Sequence, residues 1–160
     1  MALNVLLDST YLLPSFGLEI ERLSDRDLKA LRDAWSRGLV SFYCLSVSWV
    51  EVIGSVCREA ARLGVQLDRL IEVAVRSLLE SGVYTWIDPT PEAVRLAFEL
   101  RLAGHRDVID NLLYATSVTR GMIFLTMDET LRGFLSGRGF RVDNLMDHED
   151  LLEMLGVPRG

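Results

Sequence analysis

Short runs of β-branched and aromatic residues alternate along this chain with longer stretches in which apolar side chains recur every three or four positions. Five of the short runs are expected to be strands: Asn4 to Leu7, Val40 to Leu45, Tyr84 to Ile87, Met122 to Thr126 and Phe140 to Asp143. They are apolar without strict alternation, as strands covered by helices on both faces are. Strand and helix taking turns is the pattern of parallel βαβ units.

Capping residues mark the helices between them. Ser24 with Asp27 opens a helix that runs to about Gly38, where glycine suits the stop. Ser48 with Glu51 has the spacing of a capping box and leads a helix with Val52, Val56, Cys57 and Ala60 on one side. A further apolar helix spans Asp68 to Leu79. Thr90 ahead of Pro91 starts another, which ends at Gly104. Asp107 or Ile109 begins a helix that is apolar almost all round and therefore buried. Asp128 caps a short helix to about Leu135, and Glu149 to Leu155 close the chain. No linker, repeat or low-complexity tract interrupts the series, so residues 1–160 are expected to form a single α/β domain. Its architecture is a three-layer α/β/α sandwich around a five-stranded, mostly parallel sheet. In such a fold the ligand crevice lies beyond the carboxyl ends of the strands, where strand order reverses.

Composition adds size and setting to that outline. A chain of 160 residues with 49% hydrophobic and 25% charged residues can bury a sizeable core without disulfides or a structural metal. The net charge of −6 argues against a protein that coats nucleic acid through many clustered cations. Lys29 is the only lysine among the 17 basic residues. Cys44 and Cys57 lack metal-ligand spacing and read as small core residues in a reducing cytosol. His105 and His148 do not suggest a zinc pair. No secretory leader or membrane-length apolar run is present, which points to a soluble, cytoplasmic protein.

Four acidic residues stand where an apolar strand or segment gives way to a turn or a helix start: Asp8, Glu51, Asp110 and Asp128. Each has a purely structural reading. Asp8 could cap the segment Thr10 to Leu13, Glu51 could complete the capping box with Ser48, and Asp128 could cap the helix that follows it. Asp110 could answer a helix dipole, with Asp107 three residues earlier as the cap. Yet in a parallel sheet all four fall at one edge, and carboxylates gathered in one cleft repel unless divalent cations neutralise them. Other acids compete poorly. Asp88 precedes Pro89 in a turn, Glu19, Glu21, Asp25 and Asp27 look like a solvated approach to a helix, and Asp147, Glu149 and Asp150 look like the negative start of the last one.

With these residues in view, the whole chain resembles the PIN-domain nucleases. Leu7-Asp8-Ser9-Thr10 is similar to the opening motif, Ser46 to Val52 to the second, His105 to Leu113 to the third, and Leu125-Thr126-Met127-Asp128 to the fourth. The spacing from Asp110 to Asp128 fits a helix, a glycine turn at Gly121 and a strand. Departures are the long segment after the first strand, with Pro14 and Gly17, and Met127 and Tyr114 at positions where smaller or more polar residues are usual.

Within that family the chain is most similar to VapC-like toxins of prokaryotic, particularly archaeal, toxin–antitoxin pairs. The resemblance implies a metal-dependent endoribonuclease in which Asp8, Asp110 and Asp128 hold Mg²⁺ or Mn²⁺ and Glu51 completes the shell. Thr10 and Thr126 would support the acids. Arg106 and Arg132, each within a turn of an acid motif, would grip RNA, although surface arginines explain them as well. A homodimer silenced by an antitoxin protein is also implied. The alternatives are an RNA-maturation or quality-control nuclease and a catalytically silent PIN-like binding module. A phospho-accepting receiver domain would need a lysine near its fifth strand, and Lys29 is elsewhere. No glycine fingerprint follows any strand, which excludes Rossmann and P-loop nucleotide enzymes.

Overall fold

In the computed structural model, which describes residues 1–159, five parallel strands form one sheet: β1 (Leu3–Leu7), β2 (Val40–Leu45), β3 (Tyr84–Ile87), β4 (Ile123–Leu125) and β5 (Leu145–Met146), in the order β3-β2-β1-β4-β5. Seven helices surround it: α1 (Asp25–Ser36), α2 (Ser48–Leu63), α3 (Asp68–Glu80), α4 (Pro91–Leu102), α5 (Val108–Thr119), α6 (Glu129–Gly137) and α7 (His148–Leu155). A 3-10 segment, Ser9–Phe16, follows β1 directly. The sandwich expected from the sequence is therefore present, with a sheet that is parallel throughout.

The period of two along the central strands divides the core. Val5 and Leu7 of β1 face a layer built by Ala30, Leu31 and Ala34 of α1, Val52 and Val56 of α2, Ala74 and Leu78 of α3, and Leu151 and Leu152 of α7. Leu6 between them faces Leu100 of α4, Leu113 and Tyr114 of α5, and Leu131 and Leu135 of α6. Ala93 and Ala97 of α4 meet Ala115 of α5, small residues that allow the two helices to approach closely. Helix α5 is thus enclosed between α4 and the sheet, and seven of its twelve residues are buried.

Several local readings need correction. The last strand is not Phe140 to Asp143 but the two residues Leu145–Met146. The alternating Phe140 and Val142 mimic a strand because both pack on the core from an irregular segment. Tyr114 donates its hydroxyl to Arg141 O there (2.6 Å), and sheet pairing starts only at Asn144, whose carbonyl accepts from Phe124 N (2.8 Å). Asp27 is not solvated. It forms the full capping box with Ser24, accepts from Arg159 Nε at 2.8 Å, and lies 3.5 Å from the ring of the fully buried His148. Cys44 is buried as expected, but Cys57 is exposed. No helix among the described residues is long and apolar enough to cross a membrane.

Asn144 fastens the edge strand: its amide donates to Ser117 Oγ (3.0 Å) and Met122 O (3.1 Å) from a buried position. Asn144→Ala leaves both acceptors unanswered and is expected to lower unfolding stability by about 1–3 kcal/mol. A urea titration of the variant against the parent checks this.

Candidate metal centre

The strand order reverses at β1, where the chain turns from building β2 and β3 on one side to β4 and β5 on the other. The crevice is expected at the carboxyl ends of β1 and β4, and the register there is fixed. Leu7 pairs with Leu125, and Asp8 N donates to Leu125 O (3.0 Å), so the residues that follow the two strands stand side by side. Thr126 Oγ1 consequently donates to Asp8 Oδ2 at 2.8 Å while accepting from Asp128 N at 3.1 Å.

Asp8 does not act as a cap. It precedes the 3-10 segment with extended backbone angles and no side-chain capping bond, and its carboxylate turns into the cleft to meet Thr126 and, at 3.4 Å, Ser9 Oγ. That hydroxyl also approaches Glu51 Oε2 at 3.1 Å and so bridges two acids from β1 and α2. The hydroxyl beside Asp8 is thus supplied by Ser9, where the sequence pointed to Thr10, which is half-buried.

Glu51 loses its capping reading too. Helix α2 begins with Val47 in its cap position and no side-chain cap, and Ser48 Oγ is buried without a hydrogen-bond partner among the described residues. Ser46, meanwhile, donates to Asp88 at 2.6 Å. The Ser48 and Glu51 spacing is therefore incidental, and the Glu51 side chain is turned toward Ser9 and the sheet edge. Its Oε1 is sealed from solvent and meets no donor.

Asp107 caps α5 by accepting from Asp110 N at 3.0 Å. Asp110 is left on the first turn, 8% exposed, with no donor to its carboxylate among the described residues. Asp128 does cap α6, accepting from Leu131 N through Oδ1 at 2.9 Å, and keeps its second oxygen uncommitted. One oxygen each from Glu51, Asp107 and Asp110 lies within 4.8 Å of the others, a group that could bind a metal ion.

Crowding sets the electrostatics. Burial, then the charges of Asp8, Asp107, Glu51 and Asp128, pushes Asp110 up to about 9 from an ordinary 3.8. Burial also raises Asp8, although hydrogen bonds from Thr126 and Ser9 pull the other way. Glu51 is raised by burial and by Asp8 and Asp107. All three shifts have the sign that burial and neighbouring like charges produce.

The two arginines differ. Arg106 is exposed next to Asp107. Arg132 is committed to the fold, donating to Leu145 O at 2.8 Å and so tying α6 to β5. Neither cysteine nor either histidine enters the cleft network: His105 bonds Asn111 (2.7 Å) and His148 bonds Tyr11 (3.0 Å).

No protein-family profile and no curated protein matches the chain. Solved structures do share its fold. A chain of a toxin–antitoxin complex from Klebsiella pneumoniae superposes with a TM-score of 0.57 at 14% identity, covering 90% of this chain and 97% of that one. PAE2754 from Pyrobaculum aerophilum gives 0.61 at 17% identity, with 98% and 91% covered. At such identities the likeness is one of fold.

A pH dependence follows from the raised acids. Between the ordinary value of 3.8 and about 9, the folded protein binds a proton at Asp110 that the unfolded chain releases. The associated stability is complete below the lower value and is lost as pH climbs through the window. The metal-free protein should therefore melt at least about 5 °C lower at pH 8 than at pH 5.5, and Asp110→Asn should reduce the difference. Thermal denaturation across this range measures it.

Proposed function

We propose that this protein is a PIN-like, metal-dependent endoribonuclease that hydrolyses RNA phosphodiester bonds, working as the toxin of a toxin–antitoxin pair. The observation that carries this reading is a buried carboxylate, Asp110, with no donor, whose ionisation is opposed by burial and by four neighbouring acids, Asp8, Asp107, Glu51 and Asp128. Oxygen-only ligands of that kind suit a hard divalent cation such as Mg²⁺ or Mn²⁺. Asp8, Asp110 and Asp128 would hold it, with Glu51 completing the shell. Bound there, such an ion would supply Lewis acidity to the phosphate and help generate a nucleophile from water.

The chain's own residues set the stage for that chemistry. Thr126 and Ser9 fix the orientation of Asp8, and Ser9 also restrains Glu51, so two ligands from distant parts of the chain keep one spacing. Asp128 is held by its capping bond to Leu131 N, which occupies one of its two oxygens. Preset ligands of this sort need little rearrangement to take up a cation. No side chain in the cleft is a competing nucleophile: Ser9 is flanked by carboxylates and has no histidine beside it. Arg106 is the arginine available for phosphate contact, since Arg132 spends a guanidinium nitrogen on β5.

The toxin role draws on the fold shared with the Klebsiella complex, and it brings an antitoxin partner and a cytoplasmic homodimer as further parts of the proposal. An RNA-maturation nuclease would share the chemistry and differ in what it cuts.

Purified protein incubated with total RNA is expected to produce new ends with Mn²⁺ and none with EDTA. Asp8→Asn and Asp128→Asn should fold yet cut at least about 100-fold more slowly. Unchanged turnover in either variant would overturn the site. Millimolar Mn²⁺ should also raise the melting temperature of the wild-type chain.

A further inference from the structure

We infer that Asp107 is a fifth cation-holding carboxylate, forming with Glu51 and Asp110 one oxygen-lined seat for a divalent ion while it caps α5. The inference rests on the reading of the cleft given above and adds to it a residue outside the set of four.

Spacing is the first argument. The oxygens of Glu51, Asp107 and Asp110 lie within 4.8 Å of one another. An octahedral ion holds its oxygens at about 2.1 Å, hence about 3 to 4.2 Å apart. Side-chain adjustments below about 1 Å therefore close the group around an ion of that size.

Unmet acceptors form the second argument, independent of the first. Asp110 is more than nine-tenths buried and points into the group without any donor, and Glu51 Oε1 is cut off from water with no partner. Buried acceptors are ordinarily satisfied, and here the neighbours that face them are other carboxylates, which cannot donate when ionised. A cation answers both at once.

The third argument concerns Asp107 itself. Its cap uses one oxygen, Oδ1, and leaves the other for a ligand. The capping bond also pins the side chain, so the second oxygen is placed at little further entropic cost. Asp107 is exposed whereas Asp110 is buried, which puts a charge at the mouth of the seat and another at its base. Capping alone would be served as well by a neutral side chain, and this separates the two roles experimentally.

The test uses the purified full chain, titrated with Mn²⁺ by calorimetry, for the wild type, Asp107→Asn and Asp107→Ser. Both substitutions retain a capping oxygen and remove the charge. The metal-free variants are expected to melt no lower than wild type, because a repelling charge has gone. Their Mn²⁺ dissociation constant should rise at least about tenfold, or one ion should be lost from the stoichiometry. If wild type binds Mn²⁺ and both variants match it in affinity and stoichiometry, Asp107 is a cap and nothing more, and the reading of the cleft stands without it. If wild type itself takes up no Mn²⁺ at millimolar concentration, the cleft reading fails and this inference fails with it. Two neutral caps guard against one folding poorly, and the metal-free melting curve identifies that case.

Discussion

The pairing of β1 with β4 is the constraint from which the site is built. With Leu7 opposite Leu125, the carboxylate of Asp8 has Thr126 as its neighbour, and the same hydroxyl receives the N–H of Asp128. A slip of one residue would turn Leu6 and Leu7 toward the wrong layers, because each faces a different half of the core. Burial of these two leucines therefore enforces the register that sets the acids. The hydrophobic sandwich does not merely carry the cleft. It places Asp8 beside Thr126 and Asp128.

Around that axis, hydroxyls orient the carboxylates. Thr126 and Ser9 each bond an acid, and Ser9 spans two of them. Hydrogen bonds of this kind orient ionised oxygens but do not remove their charge, which is why Asp8 remains raised despite two donors. Asp110 receives none and is raised by burial and by the four neighbouring acids. The acids of the cleft are thus oriented by hydroxyls and raised by burial and by one another.

Much of this was visible in the residues. The strands β1 to β4 and the helix starts at Ser24, Thr90, Asp107 and Asp128 declare themselves because apolar runs and capping side chains act over a few positions. What escaped depends on partners remote in sequence. Phe140 and Val142 alternate like a strand, yet Tyr114 holds that segment off the sheet from 27 residues away. Asp27 sits among exposed acids in the sequence, but Arg159 and His148 enclose it. Ser48 and Glu51 match a local motif whose capping bonds are absent, and the glutamate instead meets Ser9, from the start of the 3-10 segment 42 residues away. The place of Asp107 was half legible: spacing indicated the cap, and nothing in the order of residues indicated that its oxygens would neighbour those of Glu51.

Helix α5, walled in by α4 and the sheet, gives the crowding its character. A surface helix burdened with like charges can tilt or fray until they separate. This one has nowhere to retreat, since residues on every side of it are packed. At its first turn Val108 and the capping Asp107 are exposed while Asp110 is buried, so the crowding falls on that one carboxylate. The fold thereby keeps one buried carboxylate beside those of Glu51 and Asp107 at a single fixed address.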